Sequence, residues 1–351
     1  PYLRRYSDEC DIYRPLINER TGGRHVAPHA IEIAALWTIL TRMRRNDPKQ
    51  YSKDLSEVIE ELSPLDKLGL YNNGDVPAHL SARLAKELQH VIPELYEETV
   101  GYPNYEGRFG ASAREIRTAM LNAAHHEEYE CLSPFAVLGE IENLLESKSV
   151  YDFLKQDVVG KYHDHRGFLE QATEIFTDWV DDEIRQAMGL TREDSYGELF
   201  SKYINHVSHW VKKERLVDPA SGDMLDPDER LMQEIEKTLM GAGEKAEDFR
   251  RSVIGTIGAR ALDTGETPDY GVVFKSYIVK LREAFFTNRR EDLRKINENF
   301  MKYTSEEKNL LDVKEVSQIE AMLGTLETKR GYCVHCARDA VAYLLENRYS
   351  E

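Results

Sequence analysis

Pro28-His29-Ala30-Ile31-Glu32-Ile33-Ala34-Ala35-Leu36-Trp37-Thr38-Ile39-Leu40-Thr41-Arg42-Met43-Arg44-Arg45 is the stretch from which the fold class follows. Ile31, Ala34, Ala35, Thr38 and Ile39 recur at three- and four-residue spacing, the period of one helix face. Pro28 suits the first turn, where its fixed φ and missing N–H cost nothing. The run Ile33 to Leu40 is interrupted by Thr38 and falls far short of the roughly 20 residues that span a bilayer. It predicts an amphipathic helix and no membrane partner.

The same period recurs outward from this stretch. Asp75 and Pro77 open a second expected helix, with Leu80, Leu84 and Leu88 at four-residue intervals until Pro93 stops it. Ser133-Pro134 opens a third, with Phe135, Leu138, Ile141 and Leu145 on one face. Further helices are expected over 168–188, 199–211, 249–261, 273–286, 293–300, 313–326 and 336–349. Leu216-Val217 and Met224-Leu225 flank the turn-rich 218–223 and predict one small hairpin. Asp226-Pro227-Asp228-Glu229 then reads as an N-cap, a proline at the first helical position and a capping-box glutamate. There is no fixed-period repeat, so the expected fold is mainly α with at most one small β-hairpin.

The chain has 351 residues with 41% apolar residues, enough for a core and for about two domains at roughly 150 residues each. Its 46 Lys and Arg stand against 63 Asp and Glu, a net charge of -17. Such a surface repels nucleic acid and anionic membranes, so neither is expected as a partner. Cys10, Cys131, Cys333 and Cys336 form neither a disulfide framework nor a zinc ribbon, which points to a reducing, cytoplasmic setting. Pro1-Tyr2-Leu3-Arg4 carries neither an initiator Met nor a signal sequence, and the expectation is a chain that starts inside a longer parent. The stretch from Gly101 to Gly110 and the join from Glu128 to Ser133 are the expected seams, with a boundary near residue 130.

From the end of the first seam into the helix that starts near Ser112 runs Gly107-Arg108-Phe109-Gly110-Ala111-Ser112-Ala113-Arg114-Glu115-Ile116-Arg117. Ser112 caps the helix it opens and Glu115 closes a capping box. Those two roles leave Arg114 unexplained. A cation in the first turn faces the positive end of the helix dipole, at a cost of about 0.3–1 kcal/mol unless an anion lies nearby. An arginine there, beside free N–H groups and glycines, is what a phosphate-sensing element would look like, and a simply solvated arginine is the alternative.

Gly110-Ala111-Ser112-Ala113-Arg114, with Tyr2-Leu3, Ile12-Tyr13, the run from His25 to Ala35 and Leu40-Thr41-Arg42, resembles the PrkA family of bacterial serine protein kinases. In that family an AAA+ ATPase core is followed by a helical lid and a C-terminal domain. The resemblance implies a lid over 1–130, an all-helical C-terminal domain over 131–351, and nucleotide sensing by Arg114 and Ser112 at the sensor-2 position. Arg215-Leu216-Val217-Asp218-Pro219 with Gly222 and Leu225-Asp226, then Asp248-Phe249-Arg250, resemble the C-terminal domain. The resemblance also implies ATP and Mg in the longer parent, a ring-forming parent, and a protein partner or substrate.

The departures matter equally. A phosphate loop Gly-x-x-x-x-Gly-Lys-Ser/Thr is absent, and Gly241-Ala242-Gly243-Glu244-Lys245 has the wrong spacing. Neither His-Arg-Asp with its asparagine nor Asp-Phe-Gly occurs, and Tyr162-His163-Asp164-His165-Arg166 reads as a solvated polar turn. No catalytic residue is assigned, and the chain alone is expected to hold no cofactor and to leave ATP unhydrolysed. Cys333-Val334-His335-Cys336 offers three soft ligands where structural zinc takes four, and no second pair lies nearby in sequence, so no metal is expected. His125 to Glu128, and His163 with His165, read as polar residues in water. His206, His209 and Trp210 share one amphipathic helix, where packing accounts for them. Two alternatives stand beside the lid reading: an interaction module with no nucleotide role, and a domain that completes a kinase transferring phosphate from ATP to protein serine.

Overall fold

The computed structural model describes residues 2–18, 23–77, 80–98, 105–189, 193–217, 224–241, 243–264, 270–287 and 290–350. Residues 101–104 of the expected seam, the expected hairpin loop 218–223, and Ala242 of the glycine run lie outside them. The chain divides into two compact units, Pro1–Glu183 with Leu323–Leu344, and Ile184–Met322 with Leu345–Glu351.

The first unit is built from α1 (Tyr6–Asn18), α2 (Ala30–Arg42), α3 (Lys53–Glu61), α4 (Pro64–Asn73), α5 (Ala82–His90), α6 (Ile92–Glu98), α7 (Ala113–Ala124), α8 (Pro134–Glu146) and the greater part of α9 (His165–Ala187). Helix α2 packs against α1, α4, α7 and α8. Its residues are buried all round, Trp37 and Ile33 completely and Glu32 alone partly exposed. The expected amphipathic helix is therefore a central one, as uniformly apolar helices are when neighbours cover every side. It begins at Ala30, and Pro28 stands before the cap residue His29, whose φ of 68° turns the chain into the helix.

Two other expected boundaries move for local reasons. Helix α5 starts at Ala82 because the Ser81 hydroxyl accepts from Leu84 N, while Asp75 belongs to the turn after α4, its N–H on the Gly69 carbonyl. Pro93 is the second residue of α6, where a missing N–H is harmless, and not a terminator. The Ser133 cap on α8 stands as expected, its hydroxyl accepting from Phe135 N at 3.2 Å.

The second unit continues with α10 (Glu193–Lys212), β1 (Leu216–Val217), β2 (Met224–Leu225), α11 (Glu229–Leu239), α12 (Ala246–Thr264), α13 (Tyr270–Val273), α14 (Lys275–Thr287), α15 (Arg290–Tyr303) and most of α16 (Val313–Thr325). The strands pair antiparallel in the register Leu216 to Leu225 and Val217 to Met224, which is the expected hairpin. Phe200, Tyr203, Met232, Phe249 and Phe274 form the core of this unit. Within it Arg250 binds Glu236 through two hydrogen bonds of 2.6 and 2.8 Å, and Tyr203 donates to the same carboxylate. Trp210 lies under the Arg250 guanidinium at 4.6 Å. The α11 cap is Asp228 and not Asp226, because Asp228 accepts from Leu231 N whereas Asp226 is taken by Arg215. Helix α17 (Val334–Asn347) then returns the chain largely to the first unit.

The expected solvated turn at Tyr162 to Arg166 is half wrong. Tyr162 is buried and donates to the Leu62 carbonyl, and the buried His165 donates from Nε2 to the Phe153 carbonyl at 3.0 Å. Nδ1 of His165 has no partner among the described residues. Burial holds its imidazole down to about 4 despite that bond. A depressed histidine makes the unfolded chain the stronger proton binder, so stability is lost as pH falls from about 6.5 to about 4, up to about 3 kcal/mol. Histidine NMR titration is expected to show one ring that stays neutral to near pH 4 and disappears in His165→Gln; a midpoint of 6.5 or above for His165 would refute its burial.

Candidate functional site

The loop that leads into α7 is held by charge. At the end of α2 the Arg42 side chain is 1% exposed and meets Glu9, equally buried, with Nη1 and Nη2 at 2.7 and 2.8 Å from its two carboxylate oxygens. The same guanidinium donates to the Leu3 carbonyl at 3.0 Å and, through Nε, to the Ala111 carbonyl at 2.9 Å. Tyr13 adds its hydroxyl to Glu9 at 2.6 Å. Thr41 accepts from Ala111 N at 2.9 Å, and the Arg42 carbonyl accepts from Gly107 N. Gly110 makes this approach possible: at φ 116° a Cβ there would lie 2.6 Å from Arg42 Cγ and 2.9 Å from the Thr41 carbonyl.

A second buried group holds the start of the loop. Glu106 accepts from Arg44 N at 2.7 Å and pairs with the fully buried Lys67, which also reaches the Arg44 carbonyl. Burial pushes the Lys67 ammonium below its ordinary range, with Glu106 opposing the shift. Arg4 stacks 3.4 Å over Tyr96 and reaches Glu106 at 3.5 Å. Above these groups opens a cleft of about 330 Å³, lined by Arg44, Arg45, Arg108, Phe109 and Gln156 among others. Arg45 is paired with Glu60, Arg108 lies against Phe109, and the Gln156 amide oxygen is buried with no partner among the described residues.

The two sequence-predicted residues stand where this scaffold ends. Ser112 caps α7 by accepting from Glu115 N, and Glu115 returns a bond of 2.7 Å to Ser112 N, which completes the expected capping box. Arg114 is in the first turn, exposed, and its guanidinium forms no hydrogen bond or ion pair with the described residues. It is not among the residues that line the cleft. The loop fixes where α7 starts and leaves Arg114 facing solvent.

One other cluster is brought together from afar. A ring nitrogen of His25 and the sulfurs of Cys131, Cys333 and Cys336 lie within 4.8 Å of one another, with Nδ1 3.8 Å from Cys336 Sγ. His335, counted with its cysteine neighbours in the sequence, is exposed and outside this group. His25 and Cys131 were not legible as partners because 202 residues separate Cys131 from Cys333 and 311 separate His25 from Cys336. Burial and the adjacent thiol push Cys131 up to about 12. Among the described residues no comparable group forms at His125 to Glu128 or at His163 and His165.

The fold and this site define a mainly helical protein built around buried arginine and lysine anchors, with no described helix long and apolar enough to cross a membrane. The chain belongs to the PrkA family: residues 65–343 match the domain described as the PrkA serine protein kinase C-terminal domain. It is 25% identical over 346 residues to the ATP-dependent protease PrkA of Bacillus subtilis (strain 168), covering 98% of this chain and 48% of that protein. It is 25% identical over 326 residues to the serine/threonine kinase YeaG of Escherichia coli (strain K12), covering 88% of this chain and 44% of that one. The chain thus spans about half the length of the curated relatives it matches. No solved structure matches it.

Glu9→Gln keeps the size of the side chain and leaves the buried Arg42 charge uncompensated. It is expected to destabilise the first unit by about 3–5 kcal/mol, the usual cost of breaking a buried pair from one side. Denaturant melts compared with the exposed-pair control Glu60→Gln check this, and equal midpoints would show that Arg42 is not an anchor.

Proposed function

We propose that this chain is the C-terminal portion of a PrkA-type AAA+ ATPase, in which residues 1–130 form the lid that closes on nucleotide and residues 131–351 bind a protein partner or substrate. In this reading Arg114 reaches the γ-phosphate of ATP held by the upstream core. Its charge stabilises the negative charge on the transferring group, and Ser112 fixes the helix start that aims it. ATP and Mg bind the longer parent, whose subunits form a ring. Rotation of the lid carries nucleotide state to the C-terminal domain. The compartment is the cytoplasm.

The observation that carries the reading is the contrast at the start of α7. Arg42 is consumed by Glu9, Leu3 and Ala111, whereas Arg114 is exposed with no partner among the described residues. An unpaired cation against the positive end of a helix is disfavoured by about 0.3–1 kcal/mol and calls for an anion from elsewhere. The name of one relative includes ATP dependence, and the other is called a kinase.

In the full-length protein, Arg114→Ala is expected to slow ATP turnover by at least about tenfold while the melting temperature stays put. Ser112→Ala should do the reverse, lowering stability by about 1 kcal/mol with a smaller effect on turnover. Unchanged turnover in folded Arg114→Ala protein would remove Arg114 from the nucleotide site and favour the interaction module.

A further inference from the structure

We propose that His25, Cys131, Cys333 and Cys336 bind one zinc ion, a structural site that joins three segments of the first unit. The argument begins with the backbone that presents each ligand. Val26 pairs with Leu132 in a parallel bridge, closed by Leu132 N on the His25 carbonyl at 2.8 Å and Ala27 N on the Leu132 carbonyl at 3.1 Å. That bridge places His25 and Cys131, each next to a bridged residue, side by side. From the other direction, Gly331 at φ 76° ends the helical run after α16, and the chain turns through Tyr332 into Cys333 and the first turn of α17. Tyr332 is anchored by its hydroxyl on Glu183 at 2.8 Å, and His29 Nε2 meets the same carboxylate oxygen at 2.9 Å. The four ligands are therefore held together by contacts that do not involve the sulfurs.

The donor set and its spacing fit zinc. Zn–S of about 2.3 Å and Zn–N of about 2.0 Å in a tetrahedron put sulfurs about 3.8 Å apart and sulfur about 3.5 Å from nitrogen. Here Cys131 Sγ is 3.4 Å from Cys333 Sγ and Cys336 Sγ is 3.8 Å from His25 Nδ1. Cys333 and Cys336 have the C-x-x-C spacing of structural zinc sites.

A second, independent feature points to a metal. Nε2 of His25 lies 3.0 Å from the Gly331 carbonyl. A carbonyl only accepts, so Nε2 carries the proton and Nδ1 presents its lone pair to the three sulfurs. This backbone bond to the remote ring nitrogen is the support that metal-bound histidines characteristically have. Cys333 N–H also donates to Cys336 Sγ at 3.1 Å, and the sulfur pair opens a helix, whose N-terminus favours thiolate charge. On binding, the thiol protons pass to solvent and zinc takes their place, with no change of oxidation state. Three thiolates and a neutral imidazole close the coordination sphere, so the site is structural and leaves no position for substrate.

The test is metal analysis of the full chain purified without chelator, followed by cobalt substitution. One zinc per chain is expected, and Co2+ should give the thiolate charge-transfer band and the intense visible bands of a tetrahedral sulfur-rich site. His25→Ala, an exposed position, is expected to weaken zinc binding by at least about tenfold and to change the cobalt spectrum. His335→Ala should alter neither. If Cys131→Ser fails to fold, the cobalt spectrum of the unaltered chain still decides. A chain that takes up neither zinc nor cobalt would overturn the site, as would metal retained at full stoichiometry in His25→Ala with an unchanged spectrum. A Cys131–Cys333 disulfide found by mass spectrometry in the freshly purified, metal-free chain would overturn it too.

Discussion

The buried pairing of Arg42 with Glu9 is the constraint on which the first unit depends. Two charges taken out of water are costly, and their attraction repays that cost only when the remaining donors and acceptors are also satisfied. Here they are: Nε and both Nη atoms of Arg42 have acceptors, and Glu9 takes a further bond from Tyr13. The acceptors come from three places in the chain, the N-terminal segment at Leu3, helix α1 at Glu9 and the loop at Ala111. Apolar side chains would bury comparable area without demanding these partners. The planar guanidinium accepts one arrangement of the three segments, and so fixes where α7 begins. Glu106 repeats the device a few residues upstream, with Lys67, Arg4 and the Arg44 amide around one carboxylate.

The same logic ties the far end of the sequence into this unit. Glu183 is partly buried, and although burial alone raises a carboxyl, its bonds to His29 and Tyr332 outweigh that and hold it below its ordinary value. A carboxylate so held joins the cap of α2 to Tyr332, two residues before α17. The three ends that meet at the cysteine cluster are thus positioned by hydrogen bonds and packing first. A metal ion bound there adds cross-links between segments already in place, which lowers the entropy it must remove on binding.

Legibility in the sequence depends on how local each cause is. Caps at Ser112 and Ser133 and the hairpin at 216–225 depend on residues within a few positions of one another, and all were readable. The helix at 30–42 was readable as a helix, but the 3.6-residue period does not say how many neighbours will cover it. Its Thr38 and Thr41 are polar, yet in the fold their hydroxyls donate to the carbonyls of Ala34 and Thr38 and both residues are buried in the core. At Asp226 to Glu229 two aspartates precede the helix, and Asp228 is the cap while Asp226 pairs with Arg215. Arg42 and Leu3 belong to the family pattern in sequence, and only the structure shows Arg42 paired with buried Glu9 and bonded to the Leu3 carbonyl. His25 enters the sequence reading only within the run to Ala35, and its relation, like that of Cys131, to Cys333 and Cys336 exists only after folding.

The arginines of this region divide by what they do for the fold. Arg4, Arg24 and Arg42 end on main-chain carbonyls of Tyr96, Ala124 and Ala111, and Arg4 and Arg42 also meet buried carboxylates, so their charge is spent inside the chain. Arg114 is on the same scaffold and pairs with none of the described residues. An anchor must be buried to be strong, and a sensor must be exposed to be met; one side chain cannot serve as both. The relatives' names differ, ATP-dependent protease in one and serine/threonine kinase in the other. The sensing role proposed for Arg114 would be compatible with either name, because stabilising a γ-phosphate determines when nucleotide is consumed and not which protein bond is then made or broken.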